Sequence, residues 1–445
     1  MMLDMQLGEN TLCVIRKLEE AGYSAYAVGG CVRDLLLGKE PSDIDITTNA
    51  LPRETMEVFK DFKVIETGIA HGTVTVIVNS QSFEITTFRC DGDYLDSRHP
   101  ENVTFTSRIE DDLARRDFTV NSMAMDRCGN LIDVFGGKED LDNKVIRCTG
   151  EPDVRFSEDA LRIMRAIRFS SVLGFEIEKK TAESIHKNKA LLSKISVERI
   201  FVELKKLLMG SNVFKVLTEY SDVICTVIPE LAPSVGFDHM SKYHIYDVYT
   251  HIAKTVEAAV PDETVRLVML LHDVGKPYVC TFDGQYRHFK GHPEVSEKIS
   301  CDVLHRLHAD NETIRLVSLL CRYHDRPIEV SERAVKRLLS KLTYNELRLL
   351  CEVRKADSAA HAPQIVDRGT EAEEIMKIAE KLEEENACVQ IKDLAVNGFD
   401  VMSEGFEGPA VGEVLNTLLS EVVEETTAND RDALLARIKE LAGKK

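Results

Sequence analysis

AYAVGGCVRDLLLGKEPSDIDITT, Ala25 to Thr48, is the stretch from which the rest of the chain can be read. The apolar run Tyr26–Val28 predicts a buried strand, and the pattern Cys31–Leu37 predicts a helix. Gly29-Gly30 lie between them. Glycines just before a helix start let the backbone approach a phosphate closely, helped by the positive end of the helix. Arg33, one turn in, is placed to reach the same anion. After a turn, Asp43 and Asp45 flank Ile44. Side chains alternate along a strand, so this reading puts both carboxylates on one face. Two carboxylates so placed repel each other unless a cation intervenes. A divalent metal with a phosphate partner is the usual solution.

Working outward, Asn10–Ala21 has helical periodicity and Pro52–Asp61 reads as a helix. Three runs rich in Val, Ile, Thr and Phe follow: Lys63–Glu66, Thr73–Val78 and Phe83–Phe88. They predict strands of a small α+β domain. Glu84, on the third run, is a candidate to join the two aspartates; an exposed strand glutamate is the competing reading. Residues 89–105 are polar and punctuated by Gly and Pro, which predicts a loop. Arg115-Arg116-Asp117 then offers two guanidinium groups suited to a triphosphate, and a carboxylate suited to a ribose hydroxyl.

From Asp153 the chain reads as helical. Arg162, Arg165 and Arg168 recur at three-residue steps, and Asp159 lies three residues before Arg162, predicted on one helix face with it. Glu198–Leu208 predicts a further helix. Beyond residue 236, His251, His272-Asp273, His292, His324 and Asp357 are dispersed along helical patterns, a constellation that fits a metal site. Residues 370–387 read as an exposed, charged helix.

At 445 residues the chain exceeds one core. It has no 18-residue apolar run and no signal-peptide pattern, which points to a cytoplasmic protein without a membrane span. Its eleven cysteines include no CxxC pair, as expected of reduced thiols. The net charge of −19 argues against a generally basic nucleic-acid coat. The charge is uneven: residues 151–210 carry 12 Lys/Arg against 9 Asp/Glu, and residues 371–445 carry 8 against 18. A local basic face can still hold RNA.

The stretch Gly29–Asp45 resembles the first motif of the class II nucleotidyltransferases, the CCA-adding enzymes and bacterial poly(A) polymerases of the polymerase-beta superfamily. The pattern GGxVRDxLLG followed by DxD is intact. Residues 89–105 match the loop RxDGxYxDxRxPxxVxF, Arg115–Asn121 matches RRDFTxN, and Glu158, Asp159, Arg162 and Arg165 match EDxxRxxR. The resemblance implies a polymerase-beta-like sheet domain followed by an all-helical neck, HD domain and tail. It implies CCA addition to the tRNA 3′ end from CTP and ATP. Asp43 and Asp45 would hold Mg²⁺. Gly29, Gly30, Arg33, Arg116 and Asp117 would bind the nucleotide. Asp159 and Arg162 would read the base, supported by Arg165 and Arg168. The tail would hold the tRNA elbow, although its composition equally suits an acidic oligomerisation segment.

The later His/Asp set resembles the HD superfamily of metal-dependent phosphohydrolases. His251, His272, Asp273 and Asp357 match the core ligands, and His292 and His324 match the extra histidines of fuller sites. The metal would be Mg²⁺ or a divalent transition metal. The expected division is 1–147 head, 148–235 neck, 236–369 HD domain and 370–445 tail. The competing readings are a poly(A) polymerase, a C-only or A-only adding enzyme, and a phosphohydrolase with an RNA-binding N-terminal platform. Bacterial poly(A) polymerases usually carry a basic extension, which the acidic tail does not provide.

Overall fold

The computed structural model describes residues 7–41, 43–69, 72–91, 103–241, 245–361 and 368–443. These form two compact units, Met1–Pro229 and Glu230–Lys445.

The first unit is built on a seven-stranded sheet. Its strands are β1 (Ala25–Val28), β2 (Asp45–Thr48), β3 (Lys63–Gly68), β4 (Thr73–Val78) and β5 (Gln81–Thr87), with two more from later in the chain. The loop expected over residues 89–105 is instead paired at both ends, β6 (Arg89–Asp91) with β7 (Val103–Phe105) as a separate antiparallel ladder, because backbone hydrogen bonding overrides its polar composition there; residues 92–102 lie outside the described residues. β8 (Met123–Met125) and β9 (Leu131–Asp133) complete the sheet in the order β3-β4-β5-β2-β1-β8-β9. Burial alternates along β4, and Asn79 and Ser80 both take positive φ in the two-residue turn to β5, the geometry that matches strand twist. β2 runs parallel to β5, and the register places Asp45 opposite Glu84.

The DxD register differs from expectation. β2 begins at Asp45, so Asp43 lies in the bend before the strand rather than on a shared pleat. Period-two alternation holds only from Asp45 onward, because the segment before it is shaped by the preceding turn.

Helices follow the sheet. Pro152–Glu158 ends at Asp159, which is extended (φ −137°, ψ 101°), and Leu161–Leu173 begins afresh. Asp159 and Arg162 therefore do not share a helix face. A parallel two-residue ladder, Val145–Ile146 with Glu176–Ile177, interrupts the expected all-helical run.

Among its described residues the second unit is mainly helical, with one short ladder, Thr281–Phe282 with Arg287–His288, and an isolated bridge between Asp238 and Asp247. Its helices include Val248–Ala258, Glu263–Leu271, His292–Arg306, Asn311–Tyr323 and Tyr344–Ala359. Asp247, Asp262 and Asp310 cap three of them, and Thr343 with Glu346 forms a capping box on a fourth. Helix Arg368–Glu384 is not the wholly solvated segment expected: Ala372, Ile375, Ala379 and Leu382 form one buried stripe. At these spacings four small or aliphatic residues suffice for a packed face, despite the surrounding charge. The C-terminal helices close a cluster around Val401, Leu418, Leu434 and Ile438.

Candidate functional site

In the first unit the ends of the central strands β1 and β2, the Gly29 turn and helix Leu161–Leu173 carry the nucleotide-site candidates. Gly29 has φ 81°, ψ −132°, a conformation that L residues with a Cβ rarely adopt. A Cβ there would lie 3.0 Å from Arg116 Nη1, so the absent side chain is the space into which the guanidinium packs. Arg116 is held by Asp112, which is fully buried: Arg116 Nη2 donates to Oδ2 at 3.0 Å, and Arg115 Nη2 donates to Oδ1 at 2.7 Å. These two cations outweigh burial and lower the Asp112 pKa.

Asp45 behaves oppositely. Desolvation raises its pKa, and Glu84 and Asp43 add to the rise against the opposing pull of Arg116. Asp45 stands exposed at the start of β2 with Glu84 and Asp43 as charged neighbours, and this gathering of carboxylates fits a divalent cation held by Asp43 and Asp45.

Arg33 Nη1 donates to Asn121 Oδ1 at 2.7 Å, and Arg33 also pairs with Asp34. Asp117 accepts from Phe118 N and Asn121 Nδ2 at Oδ1 and from Arg165 at Oδ2. Burial alone would raise its pKa, but Arg165 and Asn121 lower it to about 2. Its carboxylate is thus held in place by protein partners, with acceptor capacity left over for a further donor.

The expected Asp159–Arg162 pairing is also redistributed. Asp159 Oδ1 accepts from Leu161 N at 3.0 Å, and Oδ2 lies 3.3 Å from Arg199. Arg162 donates to Glu158, Arg155 O and Arg115 O, which leaves its Nε–H and one Nη2–H outside these bonds. Arg168 pairs with Glu203 at 2.6 Å. The Phe169 ring carries Arg33, Arg165 and Arg168 within 5.4 Å of its centroid, an arrangement that spaces three cations around one apolar plate. Asn121 closes the RRDFTxN stretch, whereas Asp112, Phe169 and Glu203 belong to none of the candidate residues; of these, Asp112 carries a local signal, its position four residues before Arg116.

In the second unit six expected residues converge. His251 Nε2 lies 3.1 Å from Asp357 and 3.4 Å from Asp273 Oδ2; His272 Nε2 is 3.3 Å from that same oxygen. On the other side, Asp273 Oδ1 is 3.3 Å from His292 Nε2 and 3.6 Å from His324 Nε2. His361 joins His251 and Asp357, a seventh member that the i,i+4 spacing from Asp357 could have revealed. Gly275 permits the packing: a Cβ there would lie 2.7 Å from His292 O.

The hydrogen bonds on the far side of each ring orient the ligand atoms. Nδ1 of His272, His292 and His324 faces the carbonyls of Met269, Phe289 and Cys321 at 2.8, 2.9 and 2.6 Å. A carbonyl only accepts, so each Nδ1 carries a hydrogen and each ring turns its Nε2 inward. The Nε2 atoms of His292 and His324 are 3.2 Å apart, and His272 Nε2 has no hydrogen-bond partner. Four imidazole Nε2 atoms converging on one buried carboxylate fit a metal. Burial would raise the pKa of Asp273 and Asp357, yet the surrounding histidines, and Lys276 at Asp273, hold both well below the carboxylate range.

Comparison with known proteins agrees with this architecture. Residues 25–147 match the poly A polymerase head domain, residues 174–223 the probable RNA and SrmB-binding site of polymerase A, and residues 294–438 a putative tRNA nucleotidyltransferase domain 2. The CCA-adding enzyme of Pediococcus pentosaceus is 35% identical over 440 residues, covering 97% of this chain and 98% of its own. That of Ligilactobacillus salivarius is 33% identical over 452 residues, covering 98% and 97%. The crystal structure of the Bacillus stearothermophilus CCA-adding enzyme in complex with CTP superposes with a TM-score of 0.77 at 31% identity, covering 98% of each chain. Among the described residues, no helix is long and apolar enough to cross a membrane. With relatives of this identity matched along nearly their whole length, the chain belongs to the class II CCA-adding enzyme family.

Proposed function

We propose that the protein adds C, C and A to the 3′ end of tRNA from CTP and ATP, without a nucleic-acid template. The observation that carries the reading is the apposition of Arg116 against Gly29 beside the electrostatically frustrated Asp45. Asp43 and Asp45 would hold Mg²⁺, which when bound polarises the triphosphate and makes the primer 3′-hydroxyl a better nucleophile. Gly29 and Gly30 admit the phosphates to the start of helix Gly30–Leu36, and Arg116 and Arg33 meet their charge. Asp159 offers an acceptor and Arg162 a donor. Cytosine and adenine each present an amino donor beside a ring-nitrogen acceptor, whereas guanine and uracil present the reverse. Arg165 and Arg168 support this pair through Asp117 and Glu203. We assign head, neck, HD and tail segments within the two units, with the tail holding the tRNA elbow. None of the eleven cysteines is in a disulfide, which fits a reducing, cytoplasmic setting. The test is incubation with tRNA lacking its CCA and each labelled NTP in turn, reading product length. Addition of C, C and A alone supports the reading; a long A tail would make the enzyme a poly(A) polymerase.

A second reading is favoured by the converging Nε2 atoms in the second unit: His251, His272, Asp273 and Asp357, with His292 and His324, form a divalent-metal centre of the HD phosphohydrolase kind. Asp273 offers one oxygen to each half of the set. Elemental analysis of protein dialysed against Mn²⁺, with and without Asp273→Ala, tests it.

A further inference from the structure

We propose that buried Asp112 is a positioning residue that holds Arg116 back from Asp45 and so keeps that carboxylate open for a divalent cation; this rests on the reading of Asp43 and Asp45 as the metal-holding pair. Asp112 lies on the helix Ile109–Ala114 and is fully buried. Its Oδ1 accepts from Arg115 Nε at 2.9 Å as well as from Nη2 at 2.7 Å. Its Oδ2 accepts from Arg116 Nη2 at 3.0 Å, and Thr47 Oγ1 lies 3.3 Å from that same oxygen. Thr47 is fully buried on β2, two residues after Asp45. Side chains two apart on a strand share a face, so Asp112 meets β2 on the face that Asp45 begins. The carboxylate thus ties the arginine to the strand that carries the metal site.

Arg116 has rival carboxylates. Asp112 is its one hydrogen-bond acceptor among the described residues, and it is reached through Nη2 alone. Arg116 Nε is buried without a partner, and Nη1 faces the space over Gly29. Its charge also acts on Asp45, where it opposes the effect of Glu84 and Asp43. A guanidinium pairs best with a carboxylate through two nitrogens at once, and Asp43, Asp45 and Glu84 offer such partners nearby. An arginine settled on Asp45 would stand where the cation belongs, and the resulting pair would serve neither metal nor triphosphate. Asp112 wins this competition because it is buried, where water and salt screen the attraction least. One carboxylate facing two arginines also leaves a positive charge over for the triphosphate.

The test compares full-length wild type, Asp112→Asn, Arg116→Gln and the double variant Asp112→Asn, Arg116→Gln. Equilibrium dialysis in EDTA measures CTP affinity with no cation present. Addition of CMP to tRNA lacking its CCA, titrated with Mg²⁺, gives the concentration for half-maximal rate. Asp112→Asn should bind CTP about tenfold more weakly in EDTA and need about tenfold more Mg²⁺, with excess Mg²⁺ restoring much of the rate. In the double variant the competitor is gone, so its Mg²⁺ requirement should return to that of Arg116→Gln alone. A carboxylate that only supports the fold would lower stability or kcat and leave the Mg²⁺ requirement where it was. Thr47→Val, which keeps the shape and removes the hydroxyl, should raise the Mg²⁺ requirement by less, and it replaces Asp112→Asn in the comparison if that variant does not fold. An unchanged Mg²⁺ requirement or unchanged CTP affinity in the folded variant overturns the proposal, as does a requirement that Arg116→Gln fails to bring back. Wild-type protein that adds CMP in EDTA overturns the metal reading beneath it.

Discussion

Replacing Gly29 by alanine separates backbone strain from site geometry. At φ 81°, ψ −132° an alanine costs on the order of 1–3 kcal/mol. Its Cβ would also stand 3.0 Å from Arg116 Nη1, inside ordinary van der Waals contact, which starts near 3.4 Å. The guanidinium must retreat by a few tenths of an ångström. It cannot slide freely, because its Nη2 is bonded to buried Asp112 at 3.0 Å. A misplacement of 1 Å costs about 10²-fold in rate, so this smaller shift should cost on the order of tenfold in kcat/KM for CTP. Gly150→Ala is the control: Gly150 has φ 82°, and its Cβ would meet nothing within 4 Å. Urea unfolding measures the strain, and steady-state addition to tRNA lacking CCA measures the geometry. Both variants should lose stability, and only Gly29→Ala should lose activity beyond the folded fraction. Equal specific activities in the two would refute the packing of Arg116 into the Gly29 space as a functional contact.

Other consequences follow from the same geometry. Asp117 ionises at about 2 rather than its ordinary 3.8, so its pairing with Arg165 should contribute about 2 kcal/mol, present above pH ~4 and lost as pH falls toward 2. The stability gap between wild type and Asp117→Asn, from urea unfolding at pH 6 and pH 3, should therefore narrow at the lower pH. Two mismatched polar edges at roughly 1–3 kcal/mol each give discrimination of about 10²–10⁴, so Asp159→Ala should weaken C and A addition and admit U or G. Relative kcat/KM for the four NTPs reads this, and retained preference would assign base reading elsewhere. The double variant His272→Ala, Asp273→Ala should lose Mn²⁺ binding while adding CCA at nearly the wild-type rate, since its residues lie in the other unit.

The parts of the fold legible in the sequence were those governed by local rules. Val and Thr alternation gave β4, and a glycine pair before a helix pattern located the turn at Gly29. The histidine–aspartate set was legible because each member sits within a short pattern, such as LHDVGKP. What escaped was set by packing between distant segments. Nothing near Phe169 shows that Arg33, 136 positions earlier, will lie over its ring. A lone histidine such as His239 carries no pattern, and its contact with Lys276, Nε2 to Nζ at 3.2 Å, appears only in the folded chain. The break at Asp159 was hidden because D-x-x-R suits a continuous helix equally well. There the carboxylate caps the next helix at Leu161 instead of pairing with Arg162.

The central claim is that Asp43 and Asp45 carry nucleotidyl transfer. It is tested most directly by single-turnover addition of CTP to tRNA lacking its CCA, comparing wild type with Asp45→Ala and Asp43→Ala, with tRNA affinity measured in parallel. Loss of the metal-holding carboxylates should cost on the order of 5 kcal/mol or more, several powers of ten in rate, while tRNA binding persists. Addition by either variant above a few per cent of the wild-type rate would contradict the account.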